Sequence, residues 1–221
     1  MGLLSAAKLE AREMMHIAML GDSVFDNAAY VGGAPDVRAQ LQSLLMDAEV
    51  SSAARDGAVI AGIALQLRQI PRSATHIVVS IGGNDAIGAS GVIEEKTASV
   101  AEALEKLAAI RDRFARSYAG MVELVLERSL PVAFCSIYEP RFPDGARRRA
   151  AATALAVLND AITRHVFTKR ASLIDLRLVC DQDADFANPI EPSPAGGEKI
   201  ARAIANFARN DPANAVVFGK A

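Results

Sequence analysis

The tripeptide Gly21-Asp22-Ser23 follows directly on the apolar run His16 to Leu20. A serine where a strand turns into its next element exposes its hydroxyl and offers its own backbone N–H to an anion. Capping of a turn or helix is the other role open to such a side chain. Asp22 stands too close in sequence to serve Ser23 as a base, and its carboxylate suits ordering of the turn through backbone hydrogen bonds. A second polar block, Gly82-Gly83-Asn84-Asp85, ends the apolar run His76 to Ile81. Its glycines permit an unusual backbone path and Asn84 presents an amide, although Asn after Gly is also a common turn residue. With the backbone N–H of Gly57, Ser23 and Asn84 supply donors from three separate strand ends. Such a set suits the oxyanion that develops on an attacked carbonyl.

Nucleotide binding is the competing reading of glycine-rich loops. The first turn lacks GxGxxG, GxxxxGK[ST] is absent, and Gly32-Gly33 has no following lysine, so neither dinucleotide nor P-loop chemistry is supported.

The elements that position these residues alternate. Strands are expected at His16 to Leu20, at Glu49 to Ala54, at His76 to Ile81, at Val132 to Ile137 and at Leu173 to Leu176. Between them, Leu41, Leu44 and Leu45 recur at helical spacing behind Asp36, a capping residue. A helix from about Ala58 to Ile70 is stopped by Pro71, and a loop from Gly82 to about Thr97 precedes a long helical region reaching Arg128. That region is long enough for a break to be expected near Gly120. A helix from the Glu139 to Gly145 turn to about Lys169 and a last helix from Gly196 or Gly197 to about Arg209 complete the pattern. Five strands separated by helices, without an internal repeat, describe a single domain over 1–221 with its core at about 16–209. The expected fold is a three-layer α/β/α sandwich around a parallel five-stranded sheet. Right-handed crossovers then bring the polar loops to one edge of that sheet.

In order and spacing, Gly21-Asp22-Ser23-Val24, Asn27, Gly57 and Gly82-Gly83-Asn84-Asp85 resemble the blocks of the GDSL or SGNH hydrolase family. The resemblance runs from about His16 to Phe207. It implies a flavodoxin-like sandwich and a serine ester hydrolase acting on a small ester or acylated substrate without a cofactor. By the same resemblance Ser23 is the nucleophile, and Ser23, Gly57 and Asn84 form the oxyanion hole, with Asp22, Asn27 and Asp85 in supporting places. The family's late DxxH pair is replaced here, since Asn188-Pro-Ile-Glu191 puts Asn188 in place of the acid and Glu191 in place of the histidine.

No other histidine is suited to the task. His16 and His76 begin the first and third strands, roughly 15 Å or more from the loops for five-residue strands, and His165 lies inside a helix. Glu191 is therefore the candidate base, with Asn188 able to orient it and Ser193 able to cap the following helix. An ordinary glutamate, with a pKa near 4.3, is a poor acceptor for a serine proton, so burial has to raise it. A structural or substrate-binding carboxylate is the other reading of Glu191, and a non-catalytic protein of this fold binding an acylated or anionic ligand is the other reading of the chain. Further acids, Asp26, Asp175, Asp181, Asp183 and Asp185, fall near the same edge, where a solvated rim explains them as well as a metal site does. No spacing fixes a metal.

Composition narrows the class. Of 221 residues, 51% are hydrophobic and 23% charged, which excludes a disordered or fibrous chain. A net charge of -2 argues against a nucleic-acid-binding surface. No apolar run is long enough for a membrane span, and Lys8, Glu10, Arg12 and Glu13 interrupt any signal-like run at the start. With Cys135 and Cys180 the only cysteines, a disulfide scaffold is excluded and a cytoplasmic setting is expected.

Overall fold

The structure is a computed structural model that describes residues 14–210 and 217–218. Its strands are β1 (His16–Gly21), β2 (Glu49–Ser52), β3 (His76–Ser80), β4 (Val132–Cys135), β5 (Ser172–Ile174) and β6 (Val217–Phe218). The helices are α1 (Val37–Leu44), α2 (Ile63–Leu67), α3 (Gly83–Ala89), α4 (Val100–Leu126), α5 (Gly145–Thr168), α6 (Leu176–Val179) and α7 (Pro194–Arg209). The strands form one sheet in the order β2-β1-β3-β4-β5-β6, parallel throughout. The five expected strands thus make the α/β/α core, and the two-residue β6 extends one edge.

Strand alternation separates the two faces. Ile17, Met19, Val78 and Ala133 point into a core completed by Val37 and Leu41 of α1 and by Ile200, Ile204 and Phe207 of α7. Leu20, Ile77, Val79 and Phe134 point the other way, onto Ile63 of α2, Tyr118 and Val122 of α4, and Ile162 of α5. Because β1 pairs with β2 on one side and β3 on the other, the chain changes direction across β1. The crevice beyond β1 and β3 is the usual ligand position in open parallel sheets.

Three elements depart from the sequence reading. Between Ala58 and Ile70 the helix is confined to α2, preceded by a single 3-10 turn at Ile60–Gly62. There the Ile60 N–H donates to Asp85 and the Ala58 carbonyl accepts from Asn84, so this backbone is tied to the β3 loop rather than to its own helix. The expected loop after Gly82 folds as α3 followed by a 3-10 turn at Ser90–Glu94, where glycines at 82, 83, 88 and 91 had hidden the helical signal. Finally, α4 runs for 27 residues without the expected break, about 40 Å. Gly120 faces solvent, while the buried stripe of Phe114, Tyr118, Met121, Val122 and Val125 runs past it and holds the helix as one continuous run.

Gln66 is buried in the apolar face of α2, and its side-chain amide bonds to both the N–H and the carbonyl of Gly21, at 2.7 and 2.8 Å. Gln66→Leu keeps the apolar volume but strips both bonds from the end of β1. Urea unfolding should show a loss of about 2–3 kcal/mol, with circular dichroism unchanged; an unaltered midpoint would mean that these bonds do not stabilise the strand end.

Candidate active site

β1 ends at Gly21 in a left-handed conformation, φ +140°. A Cβ there would lie 1.8 Å from the Ser80 carbonyl oxygen, so only glycine lets the ends of β1 and β3 come this close. The Asp22 N–H donates to that same Ser80 carbonyl at 3.1 Å, and the N–H groups of Phe25 and Asp26 return to the Asp22 carbonyl. The turn is closed by Val24, whose N–H donates to the Asp22 carboxylate at 3.2 Å. Ser23 is held at the head of this turn, 7% exposed.

The segment carrying Glu191 is shaped with equal economy. The Ser193 hydroxyl accepts from the Gly196 N–H as N-cap of α7 and donates to the Ala184 carbonyl. Gly196 packs so tightly that a Cβ would meet the Asp185 carbonyl oxygen at 2.1 Å. Asn188 accepts from the N–H groups of Ile190 and Glu191, both at 3.0 Å. Asn27, fully buried, joins the two loops: its Oδ1 accepts from the Val37 N–H and its Nδ2 donates to the Pro192 carbonyl.

These constraints bring Ser23 and Glu191 together. The serine hydroxyl donates to Glu191 Oε1 at 3.0 Å across 168 residues of sequence. Glu191 is 5% exposed, and its Oε2 accepts no hydrogen bond among the described residues. Burial, reinforced by the nearby charge of Asp56 and opposed by the Ser23 bond, pushes the Glu191 carboxyl up to about 7. Asp22 is likewise pushed up to about 7, chiefly by burial, with the charges of Glu191 and Asp85 adding to it and the Val24 N–H opposing it.

The other expected residues fall into two groups. Asn84 borders the same cavity as Ser23 and Glu191, and its amide donates to the Ala58 carbonyl at 2.9 Å. Since an amide nitrogen carries two hydrogens, this bond fixes the side chain and leaves a second donor. Asp85 accepts from the Ile60 N–H at 3.0 Å and so pins the Gly57 to Ile60 segment beside Asn84. Gly57 itself is exposed, at φ +75°, and does not border the cavity. Asn188, expected to orient Glu191 by hydrogen bonding, bonds it through the main chain, accepting from the Glu191 N–H as well as from that of Ile190. Ser193 caps α7, as its place before that helix suggested, and also bonds the Ala184 carbonyl. None of the histidines stands in for Glu191; His16, at the start of β1, bonds to Ser51 and Ser73 at the far end of the sheet.

A cavity of about 450 Å³ opens from Ser23 toward α3, α4 and α5. Its walls are apolar, with Ile81, Ile110, Ile137, Leu155, Leu158 and Leu176, and its polar end carries Asp22, Ser23, Asn84 and Glu191. This is the build of a site for a ligand with an apolar tail and one polar group. Ser136 also reaches it, fixed by donating to Asp175 and accepting from the Leu176 N–H. Ser136 and Gln66 were missed as site-forming residues in the sequence, whereas Asp175, the partner of Ser136, was placed at this edge only as one of several acids. Gln66 had a readable signal, a lone amide within the apolar Ile63-Ala64-Leu65-Gln66-Leu67 run. Among the described residues, no group of three or more His, Cys, Asp and Glu is arranged to hold a metal ion, and no helix is long and apolar enough to cross a membrane.

Solved structures share this architecture. A phospholipase A1 from Streptomyces albidoflavus superposes with a TM-score of 0.68 at 15% identity, over 88% of this chain and 99% of the other. An extracellular lipase from Streptomyces rimosus gives 0.66 at 14% identity, over 88% and 99%. A lipolytic G-D-S-L protein from Veillonella parvula gives 0.64 at 13%, over 89% and 100%. No curated protein sequence matches the chain. The cytoplasmic expectation is overturned by the Streptomyces rimosus match, in which the same fold serves an extracellular lipase. It rested on a low cysteine count, and Cys135 and Cys180 are both free and buried, a state that fits either redox compartment. The sequence profile of the GDSL-like lipase/acylhydrolase family matches residues 19–199, most of the described structure, and the chain belongs to that family.

Proposed function

We propose that the protein hydrolyses an ester of a small acylated substrate through an acyl-enzyme on Ser23, with Glu191 as the general base. Family membership supports serine-hydrolase chemistry in general. The observation that carries the specific reading is the 3.0 Å bond from the Ser23 hydroxyl to a buried carboxylate at the polar end of an apolar cavity.

The steps follow from that geometry. As Ser23 Oγ attacks the ester carbonyl, its proton passes to Glu191 Oε1. The developing oxyanion is met by the Ser23 N–H and the free hydrogen of the Asn84 amide. Collapse breaks the carbon–oxygen bond to the alcohol, which leaves with the proton held on Glu191. Water, deprotonated by the same carboxylate, then cleaves the acyl-enzyme and restores Ser23. A carboxyl raised to about 7 has close to the basicity of an imidazole, so the replacement keeps the proton-transfer driving force of a histidine.

Intact-mass analysis after treatment with a serine-directed phosphonate should find one adduct, at Ser23, and none in Ser23→Ala. A folded protein that takes no label would argue for a ligand-binding role. Only ionised Glu191 accepts a proton, so kcat/KM should rise with pH to a midpoint near 7. Glu191→Gln should erase that limb and lower the rate by about 100- to 10,000-fold; an unchanged pH profile would remove Glu191 as the base.

Asn84→Ala should lower kcat by roughly 100- to 1,000-fold, because the amide meets charge that exists only during attack. A rise in KM alone would instead make Asn84 a ground-state contact.

Asp22 supplies a stability test with a definite sign. Its folded pKa is raised from 3.8 to about 7, so the folded state binds that proton more tightly than the unfolded chain. The resulting stabilisation is present in full below the unfolded value and is lost as pH rises through 7. Asp22→Asn cannot ionise and keeps an oxygen for the Val24 N–H. Urea unfolding should find the variant more stable than wild type at pH 8, by roughly 4 kcal/mol, with the two converging toward pH 4. A difference independent of pH would show that the charge is not its origin.

A further inference from the structure

The peptide unit that leads into Glu191 is held at both ends. Its N–H, on Glu191, donates to the Asn188 side chain at 3.0 Å, and its oxygen, the Ile190 carbonyl, accepts from the Tyr138 hydroxyl at 2.6 Å. The two bonds differ in what they fix. Asn188 belongs to the same loop and travels with it, whereas Tyr138 stands 52 residues earlier in the chain, just beyond β4. The second bond ties the peptide to the sheet.

Tyr138 is itself anchored. Its neighbour Ile137 is held through both backbone groups by Asn159 of α5, at 2.8 Å each. The Tyr138 ring, 6% exposed, meets Phe186 edge to face with centroids 5.0 Å apart. Phe186 pairs with Pro192 as an antiparallel bridge, and the Ala187 N–H donates to the Glu191 carbonyl at 2.8 Å. The Arg141 N–H adds a bond to the Pro189 carbonyl at 2.7 Å. One short segment after β4 thus grips the two carbonyls that precede Glu191.

This grip has a chemical consequence. A turn of the Ile190–Glu191 peptide would carry the carboxylate away from Ser23, and proton transfer across their 3.0 Å bond falls off steeply with misplacement. Tyr138, Ile190 and Glu191 all border the cavity. Release of the grip would open the wall beside the carboxylate to water, which undoes a shift made by burial.

We propose that Tyr138 is a positioning residue, whose hydroxyl holds the peptide before Glu191 so that the carboxylate faces Ser23 and stays out of water. The inference rests on the ester-hydrolase reading of the same site and adds to it a residue that acts through the base. Tyr138 takes no part in proton transfer, since burial, with the charges of Asp22 and Glu191 adding to it, keeps the phenol protonated by raising it well above its ordinary value. The titratable groups that act on Glu191 or feel its charge are Asp22, Asp56, Tyr30 and Tyr138. Tyr138→Phe removes no charge from this set, so movement of the Glu191 midpoint in that variant reports exposure to water.

The test pairs Tyr138→Phe with a control, Tyr118→Phe, which strips a buried phenol hydroxyl that has no partner among the described residues and does not border the cavity. Turnover of 4-nitrophenyl butyrate is followed against pH, together with the Glu191 carboxyl resonance by carbon NMR, assigned with Glu191→Gln. Tyr138→Phe should lower kcat by about 10- to 100-fold with KM little changed. The low-pH limb and the NMR midpoint should both move down from about 7, by about one unit. Tyr118→Phe should keep wild-type values throughout. A Tyr138→Phe enzyme with wild-type kcat and midpoint, however much stability it loses, would overturn the proposal, and so would equal effects from Tyr118→Phe. The resonance separates this inference from the reading beneath it. If no ester is turned over yet the midpoint falls in Tyr138→Phe, the hydrolase reading fails and the positioning role stands; turnover by wild type with kcat and midpoint unmoved in the variant does the reverse.

Discussion

The close approach of Gly21 to Ser80 is the constraint on which the site depends. A side chain at Gly21 would overlap the Ser80 carbonyl, so the ends of β1 and β3 meet only because this position is glycine. The approach places the Ser23 turn and the Asn84 helix start on adjacent strands, where donors on each border one cavity. It also leaves strand-end backbone groups inside the protein, where an unmet amide is costly. Gln66 answers this for Gly21, and Asn159 does the same for Ile137, accepting from its N–H and donating to its carbonyl, both at 2.8 Å. Two side-chain amides, one from α2 and one from α5, thus satisfy backbone groups at the end of β1 and just beyond β4.

The loops are then joined to one another rather than left to converge independently. Asn27 couples the first loop to both α1 and the Glu191 segment. Asn84 and Asp85 couple the third loop to the backbone after β2. Displacement of any one loop therefore has to break bonds in another, which is the physical meaning of a preorganised site. The buried carboxylates Asp22 and Glu191 sit within this network without a cationic partner and oppose folding when ionised. Their cost is offset by the two large apolar cores on either side of the sheet, so the site draws on stability made elsewhere in the fold.

Much of this was legible in the sequence because it depends on short, chemically distinctive signals. The strands after which Ser23 and Asn84 stand are apolar runs ended by glycine, and Asp36 caps α1 by accepting from the Ala39 N–H, as its position before an apolar-periodic segment suggests. What the sequence hid was set by long-range contacts. The glycine-rich segment after Gly82 folds into α3 because its first turn is held by the backbone after β2 and its apolar residues line the cavity, neither of which a local propensity registers. Gly120 reads as a helix breaker but faces solvent on a helix fixed by its other side. The Asn188 side chain reads as an orienting partner for Glu191, and the local turn captures it on the Glu191 main chain, since an Asx-type bond two or three residues on forms at less entropic cost than one to a side chain.

That capture bears on why the site needs no third member in the usual sense. A histidine base has two unlike ring nitrogens, and a carboxylate behind it is required to set the tautomer and to stabilise the imidazolium that forms. Glutamate has two equivalent oxygens and no tautomer, and it becomes neutral rather than charged when it takes a proton. Its demands are different: it has to be desolvated enough to be basic and held firmly enough to face the serine. Burial supplies the first, and the second comes through the main chain, from Asn188 on the Glu191 N–H, Asn27 on the Pro192 carbonyl and Ser193 at the start of α7. On the proposed reading, the loss of the histidine and the loss of its acidic partner are therefore one change rather than two, since an aspartate at 188 would have no imidazole to orient and would bring a further negative charge toward a base that already carries its own.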